Sequence, residues 1–429
     1  MSLLTHPVVI IGAGAAGIAA GRELRRRGIG FVILEARDRI GGRAWSIPYG
    51  TSAPLDLGCE WLHSADANIL AAMAPDHGFA LDKSEAPWRR PAHQADFTAA
   101  DQQAFWAAQA VFEAKLADAA AIGERTGQDR AAAEFLEPGG RWNSLIDAIS
   151  TYYNGAPLNH VSVIDYARYR DTEVDWRVTG GYGAFIAALG ADLPIKLGCV
   201  VSAVDATGPT IRLETSDGRV ETNGVIVTVP TTVLASGAIT FTPALDDHLA
   251  AAAALPLGVA DKLFLALDRP EDFAPDTRLI GATGRTDAGS YTSRPRGRPM
   301  IEGYFGGDYA RALEQRGLPA FAEAALDEIA GVLGNDIRRR LTPILATGWA
   351  RDPFALGSYS HALPGQAAAR AVLATPVDDR ILFAGEATSP HFFSTAHGAF
   401  ESGLAAGQSL GSYVERHETL RRDQVRGDV

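Results

Sequence analysis

Cysteine is nearly absent: Cys59 and Cys199 are the only two in 429 residues. That count excludes a disulfide framework and a thiolate metal cluster, and both read as reduced core thiols. Long apolar runs are missing too. No stretch approaches the ~18 uninterrupted residues of a membrane helix, so no membrane span is expected. Positive charge is short, with 39 basic residues against 51 acidic ones and a net charge of −12. A general nucleic-acid partner needs a basic face, so none is expected. A core strand begins within the first ten residues, which leaves no room for a secretory leader and makes cytoplasm the expected location. The remainder, 47% hydrophobic and 21% charged, is the composition of a globular protein. At this length two domains are expected.

Glycine, in contrast, is abundant and placed with a pattern. Val8 to Ile11 reads as a buried parallel strand. Gly12, Gly14 and Gly17 follow in GxGxxG register at a strand-to-helix turn. Gly12 permits the tight turn, Gly14 lets backbone approach a pyrophosphate, and Gly17 lets helix pack on strand. A helix from about Ala16 to Arg27 would aim its first amides at phosphate. A second strand, Phe31 to Leu34, ends at Glu35, whose carboxylate can accept ribose hydroxyls. The unit predicts dinucleotide binding without choosing between NAD and FAD.

Further along, Gly41-Gly42-Arg43 suits close backbone approach to a phosphate with a guanidinium beside it. Leu55 to His63 holds Glu60, Trp61 and His63 in an apolar stretch, and Pro87 to His93 reads as a linker. Residues 98–133 show helical spacing for two or three helices, continuing to about Tyr169. A helix follows Gly180, then short strands, then Gly224 to Pro230, a buried run that returns the chain to the first sheet. An Ala-rich helix and the strand Asp261 to Leu267 come next, with Lys262 in an otherwise apolar setting. A strand pair near 290–304, a helix from about Pro319 to Leu333 and the aromatic loop Trp349 to Ser360 precede the last strand, Ile381 to Ala384. That strand ends in Gly385-Glu386, and a helix runs from near Ser394 to about Tyr413.

Taken in order, GAGAAG, EARDRIGGR, LGCEWLH, GGY, VIVTVP, ADKLFLAL, GWARDPFALGSYS and FAGEATSPHFFSTAHGAFESG resemble the flavin-dependent amine oxidases, closest to the polyamine oxidase and histone-demethylase branch. The resemblance covers Val8 to Gly411. It implies an α/β fold, with a discontinuous Rossmann-type FAD-binding domain (1–90, 180–237 and 375–415). The substrate-binding domain (91–179 and 238–374) would be a mixed sheet with helices, and 416–429 a charged tail. It implies FAD, with the ADP half held by Gly12, Gly14, Ala15, Ala16, Gly17, Glu35, Ala36, Arg37, Gly41, Gly42 and Arg43. Val200 would meet the adenine through its backbone, while Gly58, Cys59, Glu60, Trp349, Gly385, Glu386, Thr395 and Ala396 complete the cofactor site. Lys262 matches the lysine that holds a water at flavin N5, and Tyr359 one aromatic wall of the substrate site; these two are the expected catalytic residues. Where monoamine oxidases carry a flavin-linked cysteine this chain has Ser358, so the FAD is expected to be noncovalent. Glu60, His63, Trp349, Phe393 and Thr395 would line the substrate pocket, with Glu60 facing a distal ammonium. Thr395 also stands where monoamine oxidases have a second tyrosine.

The expected reaction is hydride transfer from the carbon beside an amine nitrogen to flavin N5. The imine would hydrolyse to an aldehyde and an amine, and O2 would be reduced to H2O2. A small amine, polyamines included, and O2 are the expected partners of a monomer or homodimer with no metal. An L-amino-acid oxidase would instead need an arginine clamp, for which Arg168, Arg170 and Arg177 are candidates. A flavin-bearing scaffold without turnover is the reading from a different class.

Overall fold

The computed structural model describes residues 4–50, 52–92 and 97–427. Met1 to Leu3, His93 of the expected linker, and Asp428 and Val429 of the expected tail lie outside the described residues.

Alternation builds the first sheet. Along Leu4–Ile11, Val8 and Ile10 enter one core while Val9 and Ile11 enter another, because successive side chains point to opposite faces. This strand pairs in parallel with Phe31–Leu34 on one side and Gly218–Val227 on the other. Ile195–Lys196 extends the sheet, and Ile381–Phe383 pairs in parallel with the end of Gly218–Val227. The antiparallel strands Val201–Asp205 and Ile211–Thr215 complete its body. Helices Ala15–Arg26, Tyr182–Gly190 and Ala396–Gly427 pack on one face. The fold is α/β, with a discontinuous, mostly parallel sheet drawn from both ends of the chain.

One boundary moves. Residues from 238 were expected with the substrate part, but Thr240–Thr242 pairs with Val201–Asp205 at the edge of the first sheet. Ala251, Ala252 and Leu255 then close its second core, so the chain leaves this body only after about residue 255. The last helix also runs past the expected end at Tyr413, because no proline or glycine follows Gly411 until Gly427.

The second sheet is antiparallel, in the order Thr277–Ile280, Ser290–Ser293, Met300–Gly306, Ala260–Leu267, Leu341–Ala346. Leu263, Leu265, Ile301 and Phe305 face helices Gly307–Arg316 and Leu318–Leu333. The opposite face is free to be polar. Residues 98–169 form one 28-residue helix, Ala99–Thr126, begun by a Thr98–Asp101 capping box, and two short ones, Asn143–Asn154 and Val163–Arg168. Among the described residues no helix is long and apolar enough to cross a membrane.

Gly12 has φ +104°, and a Cβ on Gly17 would lie 1.9 Å from the Gly12 carbonyl oxygen. Backbone cannot yield as a side chain does. Gly17→Ala is therefore expected to lower stability by about 1–3 kcal/mol and to reduce the flavin-to-protein ratio after purification. Thermal unfolding and the visible-to-280 nm absorbance ratio check both; an unchanged ratio would contradict the close-packing role.

Candidate active site

The glycine turn and the polar face of the second sheet enclose one cavity of about 520 Å³. Every sequence-expected site residue lines it except Gly17 and Phe393. Gly17 acts from behind, by packing. Phe393 is a correction: its ring lies 3.8 Å under the Arg370 guanidinium and edge-on to Tyr169, so it is spent on the fold.

At the dinucleotide end, Glu35 accepts the Ala13 amide at 2.7 Å on one oxygen and the Arg37 amide at 2.8 Å on the other. The carboxylate thus holds the glycine turn and retains a lone pair on each oxygen for a ligand. Arg37 is held in a two-pronged pair by Asp352, both bonds 2.7 Å. Arg43 donates to the Ser358 carbonyl at 2.7 Å and to Glu386 at 2.9 Å. Glu386 also accepts from Ser360 twice and from the Ser394 amide. Burial pushes its carboxyl up, but Arg43, Ser360 and Arg370 outweigh burial and hold it below the ordinary value.

Val200 requires a second correction. It lines the cavity, yet its amide donates to Ser216 Oγ and its carbonyl accepts the Ser216 amide. Its backbone thus carries the strand pairing one residue beyond Val201–Thr215, and Val201 beside it also lines the cavity. Thr395 spends its hydroxyl on the Phe392 carbonyl and the Gly398 amide, opening the last helix. Trp349 donates to the Leu57 carbonyl at 3.1 Å and backs Gly58.

A dinucleotide fits this end. Gly385, at φ +153°, has no atom within 4 Å of where its Cβ would project, while Gly12, Gly14, Gly41 and Gly42 expose backbone beside the first amides of Ala15–Arg26. A Cβ at Gly42 would come within 3.3 Å of the Gly14 Cα.

Opposite this cradle, cross-strand register decides the chemistry. Tyr304 lies across from Lys262 and Glu302 across from Phe264, so all four share one face. The Lys262 side chain is 7% exposed, and its Nζ is 2.6 Å from Glu60 and 2.9 Å from Glu302. Burial disfavours its charge, yet Glu302 and Glu60 outweigh that and raise its pKa above the ordinary value. Two carboxylates share this one ammonium and do not titrate alike. Burial raises Glu60, but Lys262, Arg296 and Arg298 carry it below the usual carboxylate range. Burial and the Glu60 charge push Glu302 up to about 7. Glu60, expected to await a substrate ammonium, has its charge answered within the protein.

Behind Lys262, Asp261 accepts from Thr347 Oγ1 at 2.7 Å and the Trp349 amide at 3.2 Å, while Thr347 Oγ1 accepts the Lys262 amide. Burial and neighbouring Glu314 push Asp261 well above its ordinary value, and the two bonds it accepts fasten the strand to the Trp349 loop. Tyr359 donates to the Tyr152 carbonyl and meets the Tyr304 hydroxyl at 3.0 Å. Tyr304 thus stands beside Tyr359 as a second tyrosine, supplied by the sheet instead of position 395. His63 Nδ1 lies 2.7 Å from Asp175.

Two of the three expected arginine clamp candidates are committed. Arg177 pairs with Asp82 and Asp276, Arg168 pairs with Glu124, and neither Arg168 nor Arg170 lines the cavity. Sequence reading missed Glu302, Tyr304, Arg278 and Trp88. Glu302 and Tyr304, two residues apart in the otherwise apolar run Met300–Gly306, were the available signal. Trp88, placed in a linker, is a cavity wall that packs on Trp61 at 4.5 Å.

The sequence family described as flavin containing amine oxidoreductase matches residues 15–410. The chain is 29% identical over 445 residues to polyamine oxidase 3 of Oryza sativa subsp. japonica, covering 94% of this chain and 89% of that one. Polyamine oxidase 2 of Arabidopsis thaliana is 26% identical over 454 residues, with 98% and 91% covered. A solved structure of putrescine oxidase bound to putrescine superposes with a TM-score of 0.79 at 17% identity, covering 95% and 99% of the two chains. The match runs from the start of the Ala15–Arg26 helix through the Lys262 strand and the Glu386 turn, and the chain belongs to the flavin-containing amine oxidoreductases.

Proposed function

We propose that the chain oxidises a primary or secondary amine with noncovalent FAD, the segments of the first sheet holding the cofactor and the second sheet facing the substrate. The observation that carries this reading is Lys262, held charged in the cavity by Glu60 and Glu302 on the side facing the glycine cradle. The relatives are polyamine oxidases by name, which favours polyamines within that class.

In this reading the Gly12, Gly14, Ala15 and Ala16 backbone meets the pyrophosphate and Glu35 the ribose. Arg43, Gly385 and the Thr395–Ala396 helix start take the remainder. Ser358 exchanges hydrogen bonds of 2.8 and 2.9 Å with the Ala260 backbone, and no thiol stands at that position. The chemistry supplied by bound FAD is acceptance of a hydride from the carbon beside the amine nitrogen, with O2 as final acceptor and H2O2 as product.

The protein's own part begins with a proton. An alkylamine near pKa ~10 arrives as ammonium, and its lone pair must be freed before that carbon gives up hydride. Burial among Trp61, Trp349, Tyr304 and Tyr359 disfavours the charged amine. Glu302, pushed up to about 7, lines the same wall and is matched to accept that proton. Tyr304 and Tyr359 are kept neutral by burial, so they wall the site as phenols. Lys262 Nζ donates toward Glu60 and Glu302 and keeps a third N–H for a water. The imine left on the substrate hydrolyses to an aldehyde and an amine.

Anaerobic mixing of the holoprotein with spermine, spermidine, putrescine, benzylamine and L-amino acids tests the reading. Loss of the visible flavin band with at least one amine is expected; bleaching by none would overturn it in favour of a scaffold. Acid denaturation is expected to release the flavin into the supernatant, whereas flavin retained by the pellet would refute noncovalent binding.

A further inference from the structure

Arg177, Arg278, Arg298 and Arg370 are the buried arginines among the described residues. Three have carboxylate partners: Asp82 and Asp276 for Arg177, Glu302 for Arg298, and Asp165 for Arg370. Arg278 has none among the described residues. It is 9% exposed and lines the cavity, and its one side-chain hydrogen bond among the described residues, to the Trp88 carbonyl at 3.1 Å, uses one of five N–H donors. A guanidinium does not shed its proton in a protein, so this one stays a cation with its desolvation unanswered.

Register explains how it reaches the cavity. Arg278 lies directly across from Thr292, and Thr292 across from Glu302. Arg278 therefore shares the face that presents Lys262, three strand spacings away, or ~14 Å between backbones. Thr292, Ser290 and Tyr153 line the wall beside it and bring hydroxyls, and Tyr153 is 57% exposed. The cavity's other acids have partners of their own. Glu60 and Glu302 serve Lys262, Asp175 serves His63 and Arg89, and Asp171 accepts the Glu173 amide.

We propose that Arg278 receives a carboxylate carried by the amine substrate, at the end of the cavity away from Lys262. This rests on the oxidase reading but departs from the polyamines that the relatives' names favour, and takes the substrate to be an amine that also bears an anion. A polyamine would bring a second ammonium toward Arg278 and be repelled, so the two substrate classes give opposite results. α-Amino acids and ω-amino acids share the required chemistry and differ in the spacing from nitrogen to carboxylate.

The test compares 6-aminohexanoate with hexylamine and 1,6-diaminohexane, and L-phenylalanine with phenethylamine, in anaerobic flavin reduction by the holoprotein. At least one carboxylate-bearing member is expected to be preferred over its counterparts that lack the carboxylate, and which one names the spacing. Arg278→Gln is expected to raise its KM at least ~30-fold with kcat within a few-fold, and to leave KM for hexylamine unchanged. Hexanoate, which is not oxidisable at an amine, is expected to bind the wild-type protein by calorimetry and raise its thermal midpoint, and to do neither with Arg278→Gln. In the absence of carboxylate the variant should unfold no lower than wild type, since a merely structural arginine would be missed. Equal or better oxidation of 1,6-diaminohexane, or an equal loss for every amine in the variant, would overturn the proposal. If no amine reduces the flavin, the oxidase reading fails, and hexanoate calorimetry still decides whether Arg278 binds a carboxylate.

Discussion

Lys262→Met is expected to lose about 3–5 kcal/mol at pH 8, because it leaves Glu60 and Glu302 buried without their shared cation. The loss should depend on pH in a direction that follows from the carboxyls. In the wild type, Glu60 is held below its ordinary value, so it contributes stability that is present above the unfolded pKa near ~4.5 and lost as pH falls through its folded value. Without Lys262, Arg296 and Arg298 alone oppose burial, so the native pKa values of both acids rise. The ionised form of each is then worth less to the native state, and the loss grows as pH rises through these raised values. Glu302 stands at about 7 even with Lys262 present, so the loss is still growing there. The gap in thermal midpoint between variant and wild type should accordingly be several degrees larger at pH 8 than at pH 5. Adding Glu60→Gln and Glu302→Gln to the variant should remove the pH dependence. A gap of equal size at both pH values would show that the ion triad is not what Lys262 contributes. In the reaction, the variant should retain FAD and slow flavin reduction or reoxidation by about two orders of magnitude. Unchanged rates in both half-reactions would take Lys262 out of the chemistry.

Local geometry explains which parts were legible beforehand. Gly12, Gly14, Gly17 and Glu35 announce themselves because a turn, a close approach and a strand end are all set within thirty residues. The return strand, ending at Val227, and the Gly385-Glu386 turn were legible for the same reason: continuous apolar runs mark strands buried on both faces. Lys262 stood out as a charge in an apolar strand, but its partners did not. Glu302 reaches it only through the pairing of Ala260–Leu267 with Met300–Gly306, and a slip of one residue would turn Glu302 to the helix-covered face. Arg278 is two strands further still, and its isolation is a statement about every acid in the cavity, which no local pattern carries. Phe393 misled because aromatic residues beside a turn suit a pocket and a cation–π contact alike. Val200 misled because its backbone pairs with Ser216 just before the strand start, where an element boundary is uncertain. The substrate end was the less readable half because it is assembled by long-range antiparallel register.

The same long-range assembly gives Glu386 its expected effect. Its two oxygens tie Arg43, Ser360 and the Ser394 amide, three segments that each touch the cavity through themselves or an adjacent residue. Glu386→Ala would leave the Arg43 guanidinium with only the Ser358 carbonyl and two backbone amides without acceptors, a loss of about 3–5 kcal/mol. Flavin retention should fall with it, since Arg43, Gly385 and the start of the last helix all line the cavity and are proposed to hold the cofactor. Glu386→Gln keeps the shape and the acceptor oxygen but not the charge, and should fall between wild type and alanine. The pH window differs from that of Lys262→Met. Glu386 is ionised in the native state with a lowered pKa, so its contribution is complete above the unfolded value near ~4.5 and fades only as pH drops through the folded one. The stability gap between wild type and Glu386→Ala should therefore be flat from pH 5.5 to 9 and close only in acid, whereas the Lys262→Met gap should widen across that same range. Thermal midpoints of both variants from pH 4 to 9, read with the flavin-to-protein ratio, separate the two carboxylate systems. A Glu386→Ala gap that widened above pH 6 would mean that this carboxyl is not ionised in the native protein.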